Sequence, residues 1–259
     1  MKNVALITGA AGGIGKEFAK IHASRGAGII AVDINTEGLK TLKAEIENQN
    51  SVEVYTIVKN LTQPTATQEI YEEVKGLGIG IDYLINNAGF GGIGKFYERP
   101  WVKDLAMIQV NILALTSLTR FFLPEFVERN SGKILNVSST ASLIPGPLQA
   151  VYFATKAYVT SFSNALSGEL HNTNVSVTAL LPGPTETNFG AISGMDKTSI
   201  YKNTAQVSDV AKDGYDAMME GKLEVISGLP WSQRLQLSFV PLIPKKMQLM
   251  MVRKGQEVQ

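Results

Sequence analysis

Short apolar runs alternate along the chain with longer stretches whose apolar residues recur every three or four positions. Val4-Ala5-Leu6-Ile7 predicts a strand buried on both faces, and Ile14, Phe18 and Ile21 then share one face of a helix over residues 14–25. Gly26 ends that helix, and residues 29–32 predict a second strand. Leu39, Leu42 and Ile46 mark a helix over 36–48, followed by a third strand over 52–58. Pro64 opens a further helix that the glycines at 76, 78 and 80 close. The pattern continues with a strand over 82–85, a long helix over 101–127, a strand over 133–137 and a helix over 150–170. A strand over 175–180, a helix capped by Ser208 and running to Glu220, and a strand over 223–226 complete it. Strands this apolar need helices on both faces, so repeated strand–helix units predict an α/β fold on a doubly wound parallel sheet. Right-handed crossovers then gather the strand C-termini, and the ligand, at one edge. No repeat, low-complexity tract or linker divides the 259 residues, so 1–259 reads as a single domain.

Hydrophobic residues make up 44% of the chain and charged residues 18%, below the roughly 25% usual in soluble domains. That balance suits a large core, with subunit faces buried as well. The formal net charge of +1 gives no long-range field to gather nucleic acid or an anionic membrane. The absence of cysteine excludes disulfides, thiolate metal sites and a cysteine nucleophile, and is compatible with a reducing, cytoplasmic setting. His22 and His171 give no basis for a multi-histidine metal site, so no metal is expected, and both read as surface or helix-face residues. The N-terminal apolar run is too short for a signal peptide, and residues 235–251 are broken by Pro241, Pro244, Lys245 and Lys246. No transmembrane segment is therefore expected.

The first strand feeds Thr8-Gly9-Ala10-Ala11-Gly12-Gly13-Ile14-Gly15. Between a strand and a helix, Gly9 permits a tight turn, Gly13 lets backbone amides approach a pyrophosphate, and Gly15 lets the helix pack close to the sheet. Gly12 has no evident role. A mononucleotide P-loop is excluded, because Ala10 stands where its first glycine belongs and Glu17 where Ser or Thr must hold magnesium. Asp33 ends the second strand, where a carboxylate accepts from both hydroxyls of an adenosine ribose and repels a 2′-phosphate. Ile34 offers no cation beside it. The pair favours NAD over NADP as cofactor.

Tyr152 and Lys156 are one helical turn apart and share a face. A free phenol has a pKa of about 10, and a neighbouring ammonium lowers it. Tyr152 then suits a general acid in ketone reduction or a general base in alcohol oxidation. Ser138 and Ser139 point to opposite sides of a strand end, so only one faces the site. Taken singly, Tyr-x-x-x-Lys is an ordinary amphipathic pair and Asn111 an ordinary helix residue. Their order behind the glycine loop is what raises them.

With these features the chain resembles the classical short-chain dehydrogenase/reductase family. Asn86-Asn87-Ala88-Gly89 follows the fourth strand, Asn111 lies in the long helix, and Ser139 precedes Tyr152 and Lys156. Pro182-Gly183 follows the sixth strand, with Thr187 beyond it. The likeness is strong over residues 2–187 and weak thereafter. It implies a Rossmann-type domain with Asn111, Ser139, Tyr152 and Lys156 as the catalytic set. Ser139 would hold the substrate oxygen, Lys156 the nicotinamide ribose, and Asn111 a water in a proton relay. The implied cofactor site is Thr8, Gly9, Gly13, Ile14, Gly15, Asp33, Asn60, Leu61, Asn87, Ala88, Gly89, Tyr152, Lys156, Pro182, Gly183, Thr185 and Thr187. Two positions depart from the family pattern. Asn60-Leu61 replaces the common Asp before an apolar residue, leaving an amide oxygen to accept from the adenine amine. Thr185 stands where Val or Ile is usual, at small cost because that contact is made by backbone.

The implied activity is hydride transfer between a nicotinamide cofactor and an alcohol or ketone. A regulatory or scaffolding protein that binds the cofactor without chemistry is the competing class, and the intact four-residue set argues against it. Phe90, Ile144, Pro145, Leu148, Phe189 and Met195 are expected on the substrate side, which favours a hydrophobic substrate. Residues 188–201, rich in Gly and Ser, read as a lid. The tail, 229–259, is apolar with basic residues mixed in. Short helices that pack beside the lid and enlarge the substrate pocket, a subunit contact and a membrane-surface helix are its three readings, in that order, and the near-neutral whole chain counts against the third. Surplus apolar residues on the helices over 101–127 and 150–170, Phe153 and Ala157 among them, predict a homodimer or homotetramer.

Overall fold

The computed structural model describes residues 1–198, 201 and 203–256. Seven strands, β1 (Ala5–Thr8), β2 (Ile29–Asp33), β3 (Val54–Val58), β4 (Tyr83–Asn86), β5 (Gly132–Val137), β6 (Val175–Pro182) and β7 (Glu224–Ser227), form one parallel sheet. Their order is β3-β2-β1-β4-β5-β6-β7. The chain leaves β3 at one edge and returns beside β1 as β4, and this reversal opens a crevice beyond the strand C-termini.

The helices are α1 (Gly13–Ser24), α2 (Thr36–Gln49), α3 (Ala66–Gly76), α4 (Trp101–Ile108), α5 (Leu115–Glu128), α6 (Ala150–Glu169), α7 (Phe189–Ser193), α8 (Val207–Glu220), α9 (Trp231–Phe239) and α10 (Lys245–Gln256). Phe18 of α1, Leu39 and Leu42 of α2 and Tyr215 of α8 pack on Ile7, Ile29 and Ala31 at one face of the sheet. Ile70 of α3 and Leu118, Phe122 and Phe126 of α5 pack on Leu6, Leu84 and Ile134 at the other. This double cover is why β1 is apolar at every buried position before Thr8. Truncating Phe122 or Phe126 to alanine would cost ~3–5 kcal/mol. Polar side chains pin the sheet centre: Asn86 donates to Thr119 and Asn136, and Asn136 donates to Ser163.

Several expectations are corrected in detail. β3 starts at Val54 because the Val52 amide turns back to the Asn50 carbonyl. Pro64 lies ahead of α3, which opens at Ala66, and Ser208 sits inside α8, whose cap is Gln206. The long helix is continuous from Trp101 to Glu128 but passes through a π turn, Gln109–Ala114. By length and composition this rod could cross a membrane, yet Leu118, Phe122 and Phe126 commit one of its faces to the core. His22 is not a surface residue. It is buried, with Nδ1 2.7 Å from the Tyr215 hydroxyl and Nε2 2.7 Å from the Asn3 carbonyl, and burial holds its pKa below the ordinary value.

The expected lid contains α7 and a 3-10 turn, Met195–Lys197. Residues 199 and 200 of that lid and 257–259 of the tail lie outside the described residues. The tail forms α9 and α10 and folds over the C-terminal edge of the sheet, where both helices line its crevice.

Candidate active site

The glycine loop is shaped by close approach. Gly9 and Gly13 have φ of +66° and +52°, a region that L side chains rarely adopt. A Cβ on Gly15 would lie 2.1 Å from the Gly9 carbonyl oxygen, so only glycine lets α1 start here. Asn87, just past β4, ties the loop down. Its side-chain amide donates to the Thr8 and Gly9 carbonyls at 2.9 and 3.1 Å. The Asn87 and Ala88 amides in turn donate to the Thr8 hydroxyl. Gly12, the cap of α1, has extended backbone and open space around it.

Asp33 stands at the edge of the same cleft. Its carboxylate accepts from the backbone amides of Ala11 and Asn35, each at 2.9 Å, which fixes it beside the loop. Ile34 is exposed next to it. The lysine nearest along this wall, Lys59, is paired with Glu69 at 2.7 Å. Asn60 departs from expectation. Its amide oxygen already accepts from the Thr62 amide and hydroxyl at 3.0 and 2.9 Å, so both lone pairs are engaged locally.

Across the cleft, β5 and α6 bring Ser139, Tyr152 and Lys156 together. Ser138 turns inward, donating to the Lys156 carbonyl at 2.9 Å and meeting the Thr160 hydroxyl. Ser139 lies in the cleft with Tyr152, its hydroxyl accepting from the Ala141 amide at 3.1 Å and facing the Pro182 carbonyl at 3.5 Å. Lys156 Nζ donates to the Val137 carbonyl at 2.8 Å and sits 5.9 Å from the Tyr152 ring centre. The sequence led to the expectation that Lys156 depresses the phenol pKa. The structure reverses this: burial pushes Tyr152 well above the ordinary phenol value, with the nearby Ser139 hydroxyl opposing it. Burial also pulls Lys156 down to about 8. Desolvation disfavours the charged form of each group.

Asn111 lies in the π turn, a local unwinding that recurs at functional sites. Its side chain accepts from the Phe90 amide and donates to the Phe90 carbonyl and the Thr155 hydroxyl. It thereby clamps the loop after β4 to α6. Thr8, Gly15 and Asn111 do not line the cleft, and they hold its walls from behind.

The cleft has a volume of about 1110 Å³. Gly9, Gly13, Ile14, Leu61, Ala88, Gly89, Pro182, Gly183, Thr185 and Thr187 line it with the residues above. Thr185 also bonds the Gly183 carbonyl through its hydroxyl, and Thr187 packs over Gly13. Of the expected substrate-side residues, Phe90, Ile144, Phe189 and Met195 line the cleft, whereas Pro145 and Leu148 do not. Leu148 instead has φ +68° and accepts from the Gly94 amide.

Phe153 is also corrected. Helical spacing sets it towards a subunit face, but it is buried against Tyr152, Met107 and Val252 and lines the cleft. Sequence reasoning missed Tyr201, whose hydroxyl donates to the Thr185 carbonyl at 3.2 Å; the tail, expected to enlarge the pocket, lines it. Leu237, Val240, Ile243 and Val252 supply an apolar wall. Gln256 is buried in that wall, and neither of its side-chain polar atoms has a hydrogen-bond partner among the described residues. Gln248 joins the two tail helices by donating to the Val240 and Ile243 carbonyls. The one sequence signal for this wall was its run of apolar residues. Among the described residues no cluster of His, Asp or Glu suits a metal ion.

A family model described as short chain dehydrogenase matches residues 3–197. The chain is 36% identical over 189 residues to the very-long-chain 3-oxoacyl-CoA reductase of Bos taurus, covering 69% of this chain and 58% of that one. It thus spans less than two thirds of that relative's length. A short-chain dehydrogenase from Sphingobium yanoikuyae, solved in complex with NADPH, is similar with a TM-score of 0.83 and 29% identity over 90% of this chain and 91% of that chain. The 3-ketoacyl-(acyl-carrier-protein) reductase of Brucella melitensis, solved with NADH, is similar with a TM-score of 0.75 and 27% identity over 87% of this chain and 97% of that chain.

Proposed function

The chain belongs to the short-chain dehydrogenase family, and we propose that it reduces a bulky or long-chain hydrophobic ketone with a nicotinamide cofactor, NADH in preference to NADPH. The observation that carries this reading is the meeting of Tyr152, Ser139 and Lys156 in the same cleft as Asp33 and the glycine loop.

The loop suits a dinucleotide. Gly9, Gly13 and the barred Cβ of Gly15 leave backbone amides at the start of α1 as the lining, which favours an anion. Asp33, fixed by two backbone amides, would accept from ribose hydroxyls and repel a 2′-phosphate. The relatives' cofactors differ, NADPH in one and NADH in the other, so the preference rests on Asp33, Ile34 and the pairing of Lys59 with Glu69. When bound, the cofactor supplies the hydride.

The protein's own residues manage the proton. Tyr152, kept protonated by burial, holds the form that a general acid needs and gives its proton to the substrate oxygen. Ser139 steadies that oxygen beside the phenol. Lys156, with a pKa of about 8, exchanges protons near neutral pH, and it would hold the nicotinamide ribose when the cofactor is bound. Phe90, Ile144, Phe189 and the α9–α10 wall give an apolar enclosure, so a hydrophobic substrate gains by burial there.

The test is a panel of ketones, from bulky aryl ketones to 3-oxoacyl thioesters, assayed with NADH and NADPH in parallel. Consumption of NADH with at least one hydrophobic ketone is expected. Folded protein that consumes neither cofactor across the panel would sink the reading.

A further inference from the structure

The near-neutral net charge conceals a segregation. Residues 230–256 carry Arg234, Lys245, Lys246, Arg253 and Lys254 and no acidic residue, leaving 19 basic against all 23 acidic residues in the rest of the chain. The same segment forms α9 and α10, and its outward side is apolar. Trp231, Leu235 and Phe239 recur at i, i+4 and i+8 along α9, all exposed, Trp231 by 78%. Leu242 between the helices is 78% exposed, and Met247, Met250 and Met251 share the outward side of α10. By helical spacing Lys254 lies among these methionines, with Lys246 and Arg253 at their margin. The inward sides hold Gln248, Val252 and Gln256.

From this we propose that the α9–α10 hairpin docks the protein onto an anionic lipid surface. Trp, Phe, Leu and Met would sink into the headgroup boundary while flanking basic residues meet lipid phosphates, the division of labour of an interfacial amphipathic helix. A second copy of this chain fits the patch less well, because a two-fold contact would bring Lys246, Arg253 and Lys254 against the same three. Phe239 and Met251 belong both to the exposed patch and to the cleft lining, so the mouth of the cleft opens within the patch. Resting on the ketone-reductase reading, a membrane-dissolved hydrophobic ketone would then pass from lipid to cleft without crossing water.

The experiment is co-sedimentation of the full chain with vesicles of equal parts phosphatidylglycerol and phosphatidylcholine, against vesicles of phosphatidylcholine alone. The protein should pellet with the anionic vesicles, release as salt is raised, and show a blue shift of Trp231 emission in a Trp101→Phe background. The pair Lys246→Gln and Lys254→Gln should weaken binding by about 30-fold, at roughly 1 kcal/mol per basic residue. Trp231→Ser with Met250→Ser should weaken binding further at unchanged circular dichroism. Unmodified protein that stays in the supernatant at low salt, or pellets equally with both vesicles, overturns the proposal. So does a fall in molar mass of the tail variants by light scattering, which would put a second copy on the patch. Because sedimentation needs no turnover, its failure is separate from failure of the ketone panel.

Discussion

Lys156 shares a helix face with Tyr152 but turns its Nζ to the Val137 carbonyl, 2.8 Å away, leaving it 5.9 Å from the phenol ring centre. The two groups are buried together, and each is driven towards its neutral form rather than stabilising the other as an ion pair. Lys156 falls from 10.5 to about 8. The unfolded chain therefore binds this proton more tightly, and the burial penalty is full below pH 8 and absent above 10.5. Its contribution makes the fold more stable as pH rises through that window, by up to ~3 kcal/mol. Urea unfolding of the protein and of Lys156→Met should show the variant's relative stability shrinking by that amount from pH 8 to 10.5. Parallel profiles would show that burial does not set this pKa.

Tyr152→Phe removes the proton but keeps the ring packing against Phe153 and Phe189. Turnover should fall by about 10²–10⁴-fold, while NADH affinity, measured by fluorescence titration, stays within a few-fold. Turnover near that of the unmodified enzyme would remove Tyr152 from the chemistry.

Cofactor choice should follow the end of β2. Asp33→Ala should relax the preference for NADH over NADPH, and adding Ile34→Arg should invert it. Dissociation constants for both cofactors decide this, and tighter NADPH binding by the unmodified protein contradicts the assignment.

Two glycines in one loop should behave oppositely. Gly15→Ala forces a Cβ to 2.1 Å from the Gly9 oxygen, so the loop must move, at about 1–3 kcal/mol of overpacking. Gly12→Ala has extended backbone and nothing within 4 Å, and its melting temperature should match that of the unmodified protein. Equal melting temperatures for the two variants would mean that the close approach relaxes without cost.

The burial of Phe153 moves the expected subunit face. Leu113, 55% exposed, and Tyr158, which stacks on Phe162, remain outward on the adjoining π turn and α6. Ala154, Ala157 and Ala165 are exposed beside them. Light scattering should give a homo-oligomer, and Leu113→Glu or Ala157→Arg should release a species near 28.0 kDa. Charged substitution at Phe153 should disrupt the cleft instead. A monomer in the unmodified protein at micromolar concentration would end this expectation.

The sheet was legible because each strand is an apolar run between turn residues, and burial on both faces leaves little else it can be. The π turn was not, since π and α backbone can present the same apolar stripe. Phe153 was misjudged because helical spacing sets it off the Tyr152–Lys156 face, yet the loop after β5 closes over it, with Gly146 against its ring. Spacing likewise gave the sign of no pKa shift: Tyr152 and Lys156 sit one turn apart in the sequence, but the residues packed on the Tyr152 cluster, Phe189 and Val252 among them, are distant along the chain. Gln256 carried no pattern of its own and acquires meaning only where α10 folds back over the cleft.

The family match ends at residue 197, and the wall made by α9 and α10 begins beyond it. Proton handling and one wall of the surface that a substrate would meet are thus written in separate stretches of one polypeptide, while Phe90, Ile144 and Phe189 keep the other wall within the family match. Recombination, or a graft of residues 229–256 from a relative, would exchange one without rewriting the other. Drift in the tail would sample new substrates against an unchanged Tyr152, and the lineage would diversify from its C-terminus inward.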